Sequence, residues 1–188
     1  MFRQERVRPA TLFFVPARER AVAWRTKAVV VYAKHFEASV RDAIGPLLGG
    51  MGFSLVDLSI GRLKGSTRVS VVIHRKEGVG VDDCAEVSSL LLPRLETVEG
   101  LEDISLEVSS PGVERAIRSR SEYAIFTGKG VRILAGNDTE WFSGIIEGVE
   151  GDSLLLRRGR ERFGFALAGI RRARLDHSVE VEEAKNAV

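Results

Sequence analysis

Apolar and polar positions alternate with two different periods in the first part of this chain. Apolar side chains recur at intervals of three and four over residues 36–51, which predicts an amphipathic helix. Strict alternation over residues 56–60 and 69–73 predicts two strands, and a second helical pattern covers residues 83–95. A third alternation, over residues 104–108, predicts another strand. The order α-β-β-α-β predicts two helices that cover one face of a three-stranded sheet.

The ends of the two predicted helices carry recognisable signals. Gly49 and Gly50 follow the first apolar stripe, and glycine readily adopts the left-handed conformation that ends many helices. Either Asp82 or Asp83 can cap the start of the second helix, and Asp83 with Glu86 has the spacing of a capping box. Pro93 lies late in the second helix and should bend it or end it.

The second part of the chain is a series of short apolar segments separated by turn residues. The predicted strands are residues 130–135, 141–149, 153–158, 162–167 and 170–175. A small closed barrel is the economical arrangement, because closure removes exposed strand edges. The side chains expected to fill it are Trp141, Phe142, Ile145, Leu154, Leu156, Phe163 and Phe165.

These patterns divide the chain into five parts. Residues 34–112 form an N-terminal α/β domain, residues 113–119 a linker and residues 120–176 the barrel. Residues 1–33 have no sustained period and carry several arginines, so they are either a disordered extension or a basic arm that contacts RNA. Residues 177–188 are an acidic tail.

Composition excludes several kinds of protein. The apolar run of residues 28–33 is far shorter than the roughly 20 residues that span a bilayer, and we expect a cytoplasmic protein. Cys84 is the single cysteine, which excludes an internal disulfide and a cysteine-rich zinc site. His35, His74 and His177 lie too far apart for a local metal-binding motif, and we expect no cofactor.

The net charge of +2 conceals an uneven distribution. The net charge is +6 over residues 1–34, −5 over residues 35–110, +5 over residues 115–174 and −3 over residues 176–188. Two basic regions on either side of an acidic one indicate a polyanionic partner, although a solvated surface gives the same pattern.

Two segments have a superficial likeness to catalytic loops. Residues 61–67 are one residue too short for a P-loop and join two strands, whereas a P-loop opens a helix. Ser109 and Ser110 lack the frame of a nucleophile turn, and Pro111 with Gly112 fits the centre of a type II turn. Since no acid, base or metal constellation is evident elsewhere, the sequence favours binding over catalysis.

The same junction resembles the signature of a known family. Residues 107–116, EVSSPGVERA, resemble the most specific stretch of the ribosome maturation factor RimP family, a strand ending in S-S-P-G. Residues 81–88, 53–57 and 167–175 resemble three further stretches in the same order, so the likeness extends from about residue 36 to residue 176. The family-motif residues are Ser109, Ser110, Pro111, Gly112, Glu114 and Arg115. Ala116 stands where the family usually has proline. Residues 168–169, an alanine and a glycine, replace residues that are often acidic in the family.

The resemblance implies an α+β protein whose C-terminal domain is an SH3-like (Sm-like) barrel. It also implies a non-catalytic monomer that binds free or immature small ribosomal subunits, with small-subunit ribosomal protein twelve as a partner. The alternatives are a general RNA-binding protein and, least favoured, an enzyme acting on RNA. The candidate contacts to ribosomal RNA are Arg115, Arg118, Arg120, Lys129, Arg132, Arg157, Arg158, Arg160, Arg171 and Arg172. Because successive strand residues point to opposite faces, at most about half of these can share one surface.

Overall fold

The first module of the computed structural model is a three-stranded sheet with two helices. The structure describes residues 27–63 and 66–186. The elements of this module are α1 (Lys27–Gly50), β1 (Ser54–Leu63), β2 (Ser66–His74), α2 (Val81–Glu96) and β3 (Ile104–Ser109). Strand β1 pairs antiparallel with β2, and β2 pairs parallel with β3. The predicted order of elements and the three-stranded sheet are confirmed.

Both helices bury one face against this sheet. From α1 the buried side chains are Val40, Ile44 and Leu48, and from α2 they are Val87, Leu91 and Leu95. The sheet contributes Leu58, Ile60, Val69, Val71 and Ile73 to the same cluster, the N-terminal core. Leu90 completes the predicted apolar side of α2 but is 41% exposed, because it lies outside the stripe that meets the sheet.

The helix ends differ from the predicted ones. Helix α1 begins at Lys27, earlier than its predicted start, while residues 1–26, most of the predicted extension, lie outside the described part of the chain. The glycine with positive φ at its C-terminus is Gly52 rather than Gly49 or Gly50. It allows Phe53 N–H to turn back and donate to the Leu48 carbonyl at 2.9 Å.

Helix α2 is capped by a different pair from the predicted one. Gly80 is the N-cap residue, and its N–H donates to the Asp83 carboxylate at 2.8 Å. Asp83 therefore lies at the third helical position instead of the cap, and Glu86 is exposed. Pro93 is accommodated within α2, which ends three residues later at Glu96.

A bulge in β1 sends one apolar side chain away from the N-terminal core. Leu55 pairs with Ile73 and Asp57 pairs with Val72, so Val56 is an extra residue between them. Val56 is 8% exposed and belongs to the core of the second module, where Val72 also packs. The predicted common face of Val56, Leu58 and Ile60 is therefore wrong at its first residue.

The second module is a five-stranded antiparallel sheet with a helix before it and a helix after it. Its elements are α3 (Arg120–Ile125), β4 (Gly130–Ala135), β5 (Phe142–Glu150), β6 (Ser153–Arg158), β7 (Glu161–Ala166), β8 (Ile170–Leu175) and α4 (His177–Asn186). The strand order is β7-β6-β5-β4-β8, and a 3-10 turn links β7 to β8. Within the described residues no ladder joins β7 to β8, so the closed barrel stays a prediction.

The second core, the C-terminal core, contains much of the predicted barrel interior. Its fully buried side chains are Phe126, Val131, Ile133, Ile146, Leu154 and Leu156. Phe142 and Phe165 pack against it, and Phe163 contacts Phe142 with ring centroids 4.9 Å apart. Trp141, Ile145 and Phe163 belong to neither core of the described residues, so their predicted interior positions are wrong, although Ile145 is itself buried.

The predicted acidic tail begins as helix α4, which packs on the second sheet. Val179 is 8% exposed, and the Glu180 carboxylate accepts a hydrogen bond from Gly130 N–H at 3.1 Å. Glu183 accepts from Gly159 N–H at 2.7 Å. Among the helices of the described residues, none has the length and apolarity needed to cross a membrane.

Candidate nucleic-acid interface

The family motif forms the junction between the two modules. Strand β3 ends at Ser109, and the Arg115 N–H donates to the Gly112 carbonyl at 2.9 Å. Val113 and Glu114 therefore form the centre of the turn, and Gly112 is not among the positive-φ glycines of the described chain. The predicted type II turn centred on Pro111 and Gly112 is wrong. The chain turns later and then pairs with β8, where Leu175 N–H donates to the Arg115 carbonyl at 2.9 Å.

Arg115 connects the modules through its side chain as well. Its guanidinium donates to Asp57 of β1 at 2.9 Å and lies 3.5 Å from Glu122 of α3. The side chain of Arg115 is 17% exposed and that of Glu122 is 8% exposed. The half-buried Arg115 guanidinium is thus paired with two carboxylates. Arg115 is therefore poorly placed to bind an RNA phosphate.

A cleft of about 200 Å³ lies beside this junction, between the modules. Its lining includes His74, Ser110, Pro111, Phe126 and Lys129. The His74 ring meets Phe126 edge-on, with centroids 5.1 Å apart. Burial, followed by the positive charge of Lys129, lowers the pKa of His74 below its ordinary value of 6.5. A neutral imidazole suits this apolar contact between the modules.

Lys129 and Arg132, two of the predicted RNA contacts, form ion pairs within the chain. Lys129 Nζ donates to the Lys76 carbonyl at 3.4 Å and lies 3.9 Å from Glu180. Arg132 lies 3.7 Å from Glu114 and 3.8 Å from Asp176. These contacts join the linker, β4 and the segment before α4.

Arg157 and Arg158, at the end of β6, are also engaged. Arg157 donates to Glu183 of α4 at 2.8 Å and lies 3.6 Å from Glu147, so it holds α4 against the sheet. Arg158 donates to the Ser143 carbonyl at 2.9 Å, and its guanidinium lies 3.8 Å from the centroid of the Phe142 ring. Arg158 is exposed, but its position is set by these two contacts.

Arg120 and Arg171 have weaker constraints. Arg120 lies 3.3 Å from Asp152, but the two side chains are 56% and 98% exposed, so water screens the pair. Arg171 donates to the Asp138 carbonyl. Both guanidinium groups remain near solvent.

The side chains of the last three candidates, Arg118, Arg160 and Arg172, are exposed and have no hydrogen-bond or ion-pair partner among the described residues. Arg172 lies on β8 beside the buried Ala173, and strand alternation therefore turns it to the outer face of the sheet. These guanidinium groups are free to bind an anion.

The sequence prediction missed the position of Trp141, which lies near two arginines on this surface. Trp141 is only partly buried, and the guanidinium carbons of Arg132 and Arg174 lie 5.7 and 5.5 Å from its ring centroid. Arg132 and Arg174 are directly paired across β4 and β8. Strand alternation contained the signal, because Trp141 and Phe142 are adjacent and cannot both face the interior.

The described residues contain no group of three or more His, Cys, Asp or Glu side chains that could hold a metal ion. Cys84 is half-buried, and burial, followed by the charge of Asp83, raises the pKa of its thiol. Since the thiolate is the reactive form, this change disfavours a nucleophilic role.

The fold and this surface define an α+β protein with two sheets and two cores, and its second module carries exposed arginines. Residues 43–114 match the family model of the RimP N-terminal domain. The ribosome maturation factor RimP of Borrelia hermsii is 29% identical over 138 residues, which cover 73% of this chain and 94% of the relative. The ribosome maturation factor RimP of Borrelia recurrentis is 25% identical over 138 residues, which again cover 73% of this chain and 94% of the relative. The chain is therefore similar to ribosome maturation factors of the RimP family over about three-quarters of its length.

Proposed function

We propose that this protein is a ribosome maturation factor that binds free or immature small ribosomal subunits and assists their assembly without catalysing a reaction. The observation that carries the proposal is the family match of residues 43–114, extended by relatives named ribosome maturation factor over 94% of their length. The raised pKa of the Cys84 thiol disfavours that side chain as a nucleophile. The protein would act in the cytoplasm, where subunits are assembled.

The second domain supplies the RNA-binding chemistry in this proposal. Its strand order, with a 3-10 turn before the last strand, is compatible with an SH3-like barrel. Arg118, Arg160 and Arg172 would bind phosphates of ribosomal RNA, because their guanidinium groups are exposed and have no partner among the described residues. Such contacts release counterions, so binding should weaken as the salt concentration rises.

The acidic first domain would serve a protein partner. Residues 35–110 carry a net charge of −5, which favours a basic protein such as small-subunit ribosomal protein twelve. In this arrangement the protein acts as a monomer that contacts protein with one part of its surface and RNA with another.

Sedimentation of a cell extract tests the proposal. We expect the protein to migrate with free small subunits and to be absent from joined ribosomes, and its deletion to leave precursor ribosomal RNA unprocessed. A variant with Arg118, Arg160 and Arg172 replaced by Ala should sediment mainly as free protein. Arg41→Ala is a control for charge, since Arg41 is exposed on α1 and paired with Glu37. Normal precursor levels in the deletion strain together with no subunit association would refute the proposal.

A general RNA-binding protein is the second candidate, and the partial exposure of Trp141 favours it. Base stacking on an aromatic side chain tolerates any sequence, so such a protein would bind many unrelated RNAs. Crosslinking in cells distinguishes the two. Recovery of small-subunit ribosomal RNA alone supports the maturation factor, whereas a broad set of messenger RNAs supports the alternative.

A further inference from the structure

The outer face of β4 and β8 combines arginines with a partly exposed tryptophan. Arg132, Trp141, Arg172 and Arg174 form this group, here called the Trp141 surface. Arg132 lies between the buried Val131 and Ile133, and Arg172 and Arg174 lie on either side of the buried Ala173. Strand alternation therefore turns all three arginines to the same outer face, where the Trp141 ring also lies.

The contacts of Trp141 differ from those of the neighbouring Phe142. The Arg158 guanidinium lies 3.8 Å from the Phe142 centroid, which is the distance of a group stacked on the ring. The guanidinium carbons near Trp141 lie at 5.5 and 5.7 Å, close to the limit of about 6 Å for a cation–π contact. Both guanidinium groups lie over the indole ring, but at a greater distance from it than the stacked Arg158 from Phe142.

The charges of the surface are only partly compensated. Arg132 lies 3.7 Å from Glu114, an exposed linker residue, and 3.8 Å from Asp176. Both distances exceed that of a good hydrogen bond, and the buried Arg132 Nε has no hydrogen-bond partner. Arg172 has no partner among the described residues, so the surface retains positive charge beside an aromatic ring.

We infer that the Trp141 surface binds single-stranded RNA, with an unpaired base stacked on Trp141 and backbone phosphates held by Arg172 and Arg174. An aromatic platform beside cationic side chains is the combination that binds single strands, since every base has a π-face and every nucleotide a phosphate. Double-stranded RNA would not bind Trp141 in this way, because its bases are stacked on one another inside the helix. The inference rests on the proposed function in one respect, that immature ribosomal RNA supplies the unpaired strand.

The fluorescence of Trp141 provides a direct test on the full-length chain. The chain contains two tryptophans, so Trp24→Phe leaves Trp141 as the only one. We expect an oligouridylate of about eight nucleotides to quench its emission strongly. Inorganic polyphosphate, which has charge but no bases, should bind without comparable quenching. Equal quenching by both polymers would show a response to charge alone and would overturn the inference.

Substitutions separate stacking from packing. Trp141→Leu should weaken oligouridylate binding about tenfold, while Trp141→Phe, which keeps an aromatic face, should stay within about threefold of the original affinity. Arg172→Ala should flatten the dependence of log K on log salt by about 0.7, and Arg41→Ala should leave it unchanged. Unchanged affinity of the Trp141→Leu protein, with the fold intact by circular dichroism, would overturn the inference.

Comparison with whole subunits keeps this test separate from that of the proposed function. If the protein co-sediments with small subunits but the oligouridylate does not quench Trp141, the proposed function stands and the RNA surface lies elsewhere. If purified small-subunit protein quenches Trp141 and the RNA does not, the surface is a protein interface and the inference is wrong. Quenching by the oligouridylate, with no subunit association and with normal precursor levels in the deletion strain, would support the inference and refute the proposed function.

Discussion

Arg115, the last residue of the family motif, donates a hydrogen bond at 2.9 Å to Asp57, which lies 58 positions earlier in the chain on β1. The same guanidinium lies 3.5 Å from the buried Glu122 of α3. One side chain thus joins the first sheet, the linker and the helix that opens the second domain. A half-buried Arg with two carboxylates is costly to disrupt, because the remaining charges lose their partner.

Arg115→Met should therefore destabilise the protein by about 3 kcal/mol, since Glu122 would be left buried and unpaired. Asp57→Asn should cost about 1 kcal/mol or less, because the Asp57 side chain is 42% exposed and water replaces its partner. Urea unfolding measures both free energies. Equal losses from the two substitutions would contradict the dominant role given to the Arg115–Glu122 pair.

Gly130→Ala should destabilise the second domain by about 2 kcal/mol. A Cβ atom there would collide with the Asp176 carbonyl and approach Val179 Cβ to 3.0 Å, so α4 would have to move. Gly164→Ala in β7 is a matched control, because its Cβ would meet only Leu155 Cδ2, at 3.8 Å. Thermal unfolding followed by circular dichroism compares them. A Gly130→Ala protein as stable as the control would show that α4 contributes little.

Stability should decrease as the pH falls below about 6.5, because the folded protein disfavours protonation of His74. The unfolded chain binds the proton at the ordinary pKa of 6.5, while burial and Lys129 lower the pKa in the folded state against the opposing charges of Glu180 and Glu77. The stabilisation is present above that pH and is lost as pH decreases towards the lowered pKa.

His74→Gln removes this titration, so the variant should lose less stability than the original protein between about pH 7.5 and about pH 5.5. Urea midpoints at the two pH values provide the measurement. His177→Gln serves as the control, since the His177 side chain is 66% exposed. An identical pH response of the original protein and the His74→Gln variant would show that another group is responsible.

Replacing Arg118, Arg160 and Arg172 together by Ala should flatten the dependence of log K on log salt for small-subunit binding by about 2, as expected for three lost phosphate contacts. Binding measured over a range of potassium chloride concentrations gives this slope. A control with the same loss of charge replaces three arginines of the first domain, Arg41, Arg62 and Arg94. If the two triple variants had the same slope, net charge and not these guanidinium groups would govern binding.

Much of the fold was predictable because the decisive information is local. The alternation in residues 130–135, 153–158 and 170–175 predicted three strands at their observed bounds. The spacing of apolar residues shows which residues share a face. A strand with one buried face has alternating apolar and polar residues whichever strands it pairs with. The order of the strands and of α1 and α2 followed from it, whereas α3 and α4 were not predicted.

The faces of individual residues needed the tertiary structure. Val56 was expected in the first core, but a bulge that depends on pairing with β2 turns it to the second. Arg115 was a candidate RNA contact until its position between Asp57 and Glu122 was known. Among the candidate arginines, composition did not distinguish Arg157, paired with Glu183, from Arg160, which is exposed without a partner among the described residues.

The sequence by itself predicted the order of strands β1 to β8, helices α1 and α2, and the resemblance to the RimP family, because each depends on neighbours within a few residues or on short motifs. It did not predict α3 or α4. Only the tertiary structure decided which charges are neutralised within the chain and which remain for a partner. An ion pair depends on side chains brought together from distant positions, as Arg115 and Asp57 are, and no local period records that contact. The partly exposed position of Trp141 beside Arg132 and Arg174 was decided in the same way.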